Sequence, residues 1–179
     1  MKFKIGVIGS AEGAEEKILE KARVIGREIA KYDCFLLSGG TTGVSYEAVK
    51  SAKKENGFTI GFSPAENLTE HIDYYKFPTE QFDVLITTGF GKKGRNVMFI
   101  RSCDGVIAVS GRIGTLNELT IAYDEKKIIG ILTGSGGLSD SIKEIIDKSG
   151  KKGGKIIYES DPKLLVKMIV EDLKKNRGC

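Results

Sequence analysis

Short apolar runs alternate along the chain with longer stretches in which apolar residues recur every three or four positions. The runs are Lys2–Gly9, Cys34–Ser38, Thr59–Phe62, Val84–Thr87, Gly105–Val109, Ile128–Leu132 and Ile156–Tyr158. They are short, β-branched and nearly continuous in apolar character, as strands buried on both faces of a parallel sheet must be. Between them, Glu15–Lys31 puts Ile18, Ala22, Ile25 and Ile29 on one helical face. Asp161 and Pro162 offer an N-cap and a first-turn proline to a last helix, with Leu165, Met168, Ile169 and Leu173 as its apolar stripe. This alternation predicts an α/β fold, a doubly wound, Rossmann-like, mostly parallel sheet of about seven strands flanked by helices. No linker or repeat interrupts it, so residues 1–179 are expected to form a single Rossmann-like domain that binds a nucleotide or phosphate.

One helix breaks the amphipathic rule. In Lys92–Cys103, Val97, Met98, Phe99 and Ile100 run consecutively and cover most of the circumference. Such a helix either lies deep in its own domain or packs against a second subunit. In a chain this small the second reading is preferred, which predicts a homodimer or dimer-based oligomer through helix 92–103.

Every strand-to-helix turn of a parallel sheet lies on the edge formed by the strands' carboxyl ends. Four such turns here are rich in glycine: Gly9–Gly13, Ser38–Gly43, Gly89–Asn96 and Ser110–Thr115. Helix starts offer unpaired amides and partial positive charge to a phosphate, and glycine lets backbone approach a ligand closely. None of the turns spells GxGxxG or a P-loop, so it is their convergence on one crevice that points to a phosphorylated ligand. A helical pattern begins at Leu116 with a carboxylate, Glu118, in its first turn. A carboxylate repels phosphate, so Glu118 is expected to face another part of the ligand. Thr115 and Glu118 also have the spacing of a capping box, a purely structural alternative. Arg95 likewise has a plain alternative, a surface ion pair. Tyr74 and Tyr75 read as a surface pair, with stacking in a base pocket as the other option.

Composition narrows the chemistry. A length of 179 residues with 40% hydrophobic and 29% charged content is enough for a real core. The net charge of +4 is spread over lysines beside glutamates, as in Glu15-Glu16-Lys17, a solvated surface rather than a nucleic-acid face. The chain opens on a strand, so no secretory leader is expected, and no apolar run approaches a membrane span. Cys34, Cys103 and Cys179 are too few and too scattered for a disulfide framework, and the cytoplasm is the expected compartment. Cys34 and Cys103 adjoin apolar strands and read as buried small hydrophobes. The single histidine, His71, leaves no zinc site and no nucleophile–histidine pair, and in its polar loop it reads as surface-exposed.

Ser110-Gly111-Arg112-Ile113-Gly114-Thr115-Leu116-Asn117-Glu118 resembles the PGGxGTxxE pattern of the Lonely-guy nucleotide phosphoribohydrolases. Their relatives, once labelled possible lysine decarboxylases, include the molybdenum cofactor carrier proteins. Gly39–Val44 matches the earlier glycine-rich turn, Arg95 the upstream arginine, and Arg101 and Asp104 keep the family spacing. The similarity runs from Gly9-Ser10 to about Leu132. It implies hydrolysis of the N-glycosidic bond of a nucleoside 5′-monophosphate to free base and ribose 5-phosphate, with Glu118 and Arg95 as catalytic residues and no metal or organic cofactor required. The alternative within the same family is a non-catalytic carrier of a nucleotide or a phosphorylated pterin. The implied phosphate- or nucleotide-binding residues are Gly9, Ser10, Gly39, Gly40, Thr41, Thr42, Gly111, Arg112, Ile113, Gly114 and Thr115. Two positions depart from the pattern: Ser110 replaces its proline and Arg112 its second glycine. An arginine where the backbone needs positive φ would be strained. Nothing marks a pyridoxal phosphate lysine.

Overall fold

The computed structural model describes residues 1–178, and Cys179 lies outside the described residues. Strands and helices alternate as β1 (Lys4–Gly9), α1 (Glu16–Lys31), β2 (Phe35–Ser38), α2 (Val44–Lys54), β3 (Thr59–Ser63), β4 (Val84–Thr87), α3 (Gly91–Ser102), β5 (Gly105–Val109), α4 (Ile113–Asp124), β6 (Ile128–Leu132), α5 (Leu138–Ser149), β7 (Ile156–Glu159) and α6 (Pro162–Asn176). A π-helical turn, Glu70–Tyr74, interrupts the long β3–β4 connection.

The strands form one seven-stranded sheet in the order β4-β3-β2-β1-β5-β6-β7, and every neighbouring pair is parallel. The expected α/β architecture is therefore the observed one. From β1 the chain builds outward through β2, β3 and β4, then returns to lay β5 on the other side. The strand order reverses between β1 and β5, where a crevice opens at the strand ends. Gly9 lies level with Val109 across that junction, so the two turns that follow leave the sheet side by side.

Alternate side chains of each strand feed two cores. Ile5, Val7, Ile107 and Val109 pack with Ile18, Ala22, Ile25 and Ile29 of α1, Ala48 and Val49 of α2, and Leu165 and Ile169 of α6. Ile8, Val106 and Ala108 pack with Phe99 and Ile100 of α3, Leu119 and Ala122 of α4, and Ile142 of α5. Cys34 and Cys103 lie in these cores, and burial pushes the Cys34 thiol up to about 11 and the Cys103 thiol higher still. Both remain protonated thiols at ordinary pH. Among the described residues, no helix is long and apolar enough to cross a membrane.

The apolar run of α3 divides: Phe99 and Ile100 enter the core, while Val97 stays 43% exposed. One local expectation changes, because His71 is not a surface residue. It is fully buried, with Nδ1 2.8 Å from Ser63 Oγ and Nε2 3.1 Å from the Pro78 carbonyl. An imidazole with both nitrogens engaged can be buried at little cost.

Candidate functional site

A cavity of about 350 Å³ occupies the crevice, a size that suits a small-molecule ligand. Gly9, Ser10, Ala11 and Glu12 line it from the end of β1, and Thr41 and Thr42 from the end of β2. Lys92, Lys93, Arg95 and Asn96 come from α3, while Arg112, Gly114, Thr115 and Glu118 come from the start of α4. Phe77, from the β3–β4 connection, completes the wall. The structure thus gathers most of the sequence candidates around one space. Gly39, Gly40, Gly111 and Ile113 do not line it. Gly40 N–H already donates to Ser38 Oγ at 3.3 Å, and Ile113 points outward with 69% exposure.

Arg95 is the unusual group in this wall. Its residue is only 5% exposed, and its Nε and Nη1 have no hydrogen-bond partner. The guanidinium lies against Gly39, where an added Cβ would stand 1.8 Å from Nη1, and over the Phe99 ring at 5.8 Å from its centroid. Gly39 therefore makes room for Arg95 and not for a ligand. Burial lowers the Arg95 pKa, and the charge of Glu118 opposes that shift. Unpaired buried donors of a cation are costly, which marks Arg95 as a group waiting for an acceptor.

Glu118 answers Arg95 electrostatically. Loss of solvent pushes its carboxyl from 4.5 up to about 7, against the pull of Arg95 and Lys93. A group poised near neutrality in a cleft can hold or release a proton there. Asn96 donates to Asn117 Oδ1 at 2.8 Å, while its own Oδ1 is buried without a partner. Asn96, Lys92 and Lys93 sit in a turn already visible as glycine-rich, whereas Phe77 carries no signal in the sequence.

The start of α4 differs from the expected one. The helix begins at Ile113, and its N-cap is Arg112, with extended backbone (φ −127°, ψ −162°) and no side-chain cap. Thr115 is the third helical residue, so the capping box does not form and Glu118 falls in the second turn. Leu116 N–H makes the first intrahelical bond, to the Arg112 carbonyl at 3.0 Å. The amides of Ile113, Gly114 and Thr115 precede it and have no acceptor within the helix.

Nor is Arg112 strained. The positive φ values fall two and one residues earlier, at Ser110 (+56°) and Gly111 (+112°). The turn before α5 and the first residues of that helix secure this conformation: Ser110 N–H donates to Ser135 Oγ at 2.7 Å, and Ser139 Oγ donates to the Ser110 carbonyl at 2.5 Å. Proline fixes φ near −65° and has no N–H, so it fits neither condition. Ser110→Pro, which restores the family residue, is accordingly expected to lose about 3 kcal/mol in urea denaturation. Unchanged stability would refute this account of the turn. The Arg112 side chain reaches across the crevice mouth, where Nη2 donates to the Glu12 carbonyl at 3.3 Å.

Other residues singled out in the sequence lie elsewhere. Asp104 accepts from Lys4 N–H at 2.8 Å and pairs with Lys4 and Arg177 at the amino edge of the sheet. Arg101 faces Glu125 at 3.5 Å. Tyr74 is 74% exposed, and Tyr75 stacks on Phe77 outside the cavity lining.

The comparisons agree with this geometry. The chain is 32% identical over 130 residues to an uncharacterised protein of Archaeoglobus fulgidus, a match spanning 73% of this chain and 80% of that one. The molybdenum cofactor binding protein of the phototrophic bacterium Rippkaea orientalis superposes with a TM-score of 0.78 at 31% identity, over 97% of this chain and 98% of the other. The molybdenum cofactor carrier protein of Chlamydomonas reinhardtii gives a TM-score of 0.79 at 28% identity, over 98% and 99%. The resemblance carried by the Ser110–Glu118 segment thus holds for the group that includes the cofactor carriers. With its family match extending over residues 2–166, the chain belongs to the SLOG cluster4 family.

Proposed function

We propose that this chain binds and carries a phosphorylated heterocyclic small molecule, of the molybdenum cofactor type, in the cavity at the β1–β5 junction. The observation that carries the reading is Arg95, a buried cation with two unpaired donors in the cavity wall. An anionic ligand supplies what it lacks. The phosphate rests on the first-turn amides of α4, Gly114 and Thr115, with Arg112 at the mouth. Glu118 does not repel it, because a carboxyl titrating near 7 can stay protonated and donate a hydrogen bond. The solved relatives named for binding or carrying molybdenum cofactor support the same choice.

A second reading rests on the pairing of Glu118 with Arg95. Cleaving the N-glycosidic bond of a nucleoside 5′-monophosphate builds positive charge at the anomeric carbon. Ionised Glu118 would meet that charge or orient the attacking water, and Arg95 would balance charge on the departing base. This hydrolysis needs no metal or organic cofactor.

The chain further acts as a homodimer through the outer face of α3. Phe90 and Val97 are exposed there, beside Val84 and Ile86 of the edge strand β4. Val84 and Ile86 pair with Ile60 and Phe62, which places them on the α3 side of the sheet.

One gel-filtration experiment with light scattering tests these statements. Molybdenum cofactor released from a molybdoenzyme should elute with the protein near one molybdenum per chain, at twice the chain mass. AMP incubated with the protein should be recovered intact. Free adenine without molybdenum retention would replace the carrier reading with the hydrolase, and a monomer mass would remove the dimer.

A further inference from the structure

The connection between β3 and β4 is the longest stretch without an α-helix among the described residues, and it delivers one aromatic ring to the cavity wall, Phe77. That ring is held with unusual care for a loop residue. Phe77 N–H donates to the His71 carbonyl at 3.1 Å, and the next residue's carbonyl, on Pro78, lies 3.1 Å from His71 Nε2. A carbonyl only accepts, so Nε2 carries the imidazole proton and Ser63 Oγ donates to Nδ1. The His71 ring also meets the Phe77 ring edge-on at 5.7 Å. Tyr75 stacks on Phe77 at 5.4 Å with an interplanar angle of 17°. Lys92 Nζ stands 5.6 Å from the Phe77 centroid and 5.8 Å from that of Tyr75.

A plain hydrophobic wall needs none of this. Buried histidine, a backbone staple on either side and a second stacked ring fix both the position and the tilt of Phe77. A stacking platform requires that, since flat rings are recognised by their faces.

Position in the sheet gives the platform a direction. Phe77 is tied through His71 to Ser63 at the carboxyl end of β3, whereas the first turn of α4 follows β5, three places along the order β3-β2-β1-β5. At ~4.8 Å per strand those two strand ends lie roughly 14 Å apart along the edge. Arg95, buried and with Nε and Nη1 unpartnered, stands between them beside Gly39 at the end of β2. We infer that Phe77 is the platform for a flat heterocycle, which stacks on it while the ligand's phosphate sits at the α4 end. This rests on the proposal that the cavity holds a phosphorylated heterocycle, and it adds which wall takes the ring.

Calorimetric titration with AMP and with ribose 5-phosphate, which has the phosphate and sugar but no ring, separates the two statements. In the parent chain AMP should bind more tightly than ribose 5-phosphate. Phe77→Ala should weaken AMP about ten- to hundredfold and leave ribose 5-phosphate unchanged. The chain has no tryptophan, so Phe77→Trp places a single indole at the platform. Its fluorescence should be quenched by AMP and not by ribose 5-phosphate, a readout that stands even if Phe77→Ala fails to fold. Equal losses for both ligands, no loss for either, or an indole indifferent to AMP would overturn the platform. Ribose 5-phosphate binding as tightly as AMP in the parent chain would also overturn it, with the phosphate reading intact. If neither probe binds, the platform is overturned, and molybdenum co-elution decides the carrier reading separately.

Discussion

At pH 8, Glu118→Gln is expected to melt about 10 °C above the parent chain, and at pH 4 the two should melt together. Burial raises the Glu118 carboxyl from 4.5 to about 7, so the folded state holds this proton more tightly than the unfolded one. Below 4.5 both states are protonated and nothing is lost. Between 4.5 and 7 the unfolded carboxylate ionises freely while the folded one resists, so stability falls as pH rises. Above 7 the whole cost is in place, about 3 kcal/mol for a rise of this size. Glutamine mimics the protonated form at every pH and avoids the cost. In a chain of this length each kcal/mol moves the melting temperature by about 2–4 °C. Melts from pH 4 to 8 would show the curves separating between pH 4.5 and 7 and keeping a constant gap above that. Parallel curves would show that Glu118 is better solvated or better paired than its surroundings indicate.

Arg95→Met should separate stability from binding. Methionine is unbranched and adaptable, and it can keep the contacts over Phe99 and beside Gly39 without any polar atom to satisfy. Removing two unpaired donors should stabilise the ligand-free protein by about 1–3 kcal/mol. The comparison belongs at pH 6, where Glu118 is mostly protonated and does not feel the loss of its positive neighbour. Affinity for AMP should fall about a hundredfold, the loss of one charge-assisted contact in a buried site. A side chain that raises stability when removed, and abolishes binding at the same time, is retained for its ligand. Stability and affinity falling together would make Arg95 a structural residue instead.

The departures from the family pattern have a physical meaning once the turn is seen. Arg112 was the position of concern, yet its backbone is extended and its side chain spans the crevice mouth. The demanding conformation sits on Ser110, where a proline could not take it. A linear pattern records which residues differ but not which of them bears the positive φ. That depends on the Ser135 and Ser139 contacts from another turn.

Much of the fold was legible because it rests on local rules. A strand buried on both faces must be apolar throughout, and a helix laid on a sheet must repeat its apolar residues every three or four positions. Those two constraints alone yield seven strands, the long first helix and the capped last one, and a parallel sheet then places its glycine-rich turns along one edge. The start of α4 was misplaced by three residues, because its N-cap is an arginine with no capping side chain and so leaves no mark in the sequence. Likewise, the polarity of His71 and its neighbours describes the residues but not what they meet. Only the folded chain brings Ser63 and the Pro78 carbonyl to that imidazole, Phe77 to the crevice, and Gly39 beneath Arg95. The sequence by itself determined the architecture and the edge on which the glycine-rich turns gather. Tertiary structure decided which cation is buried with unpartnered donors, which carboxyl titrates near neutrality and which ring lines the cavity, because burial and pairing arise only between segments distant in the chain.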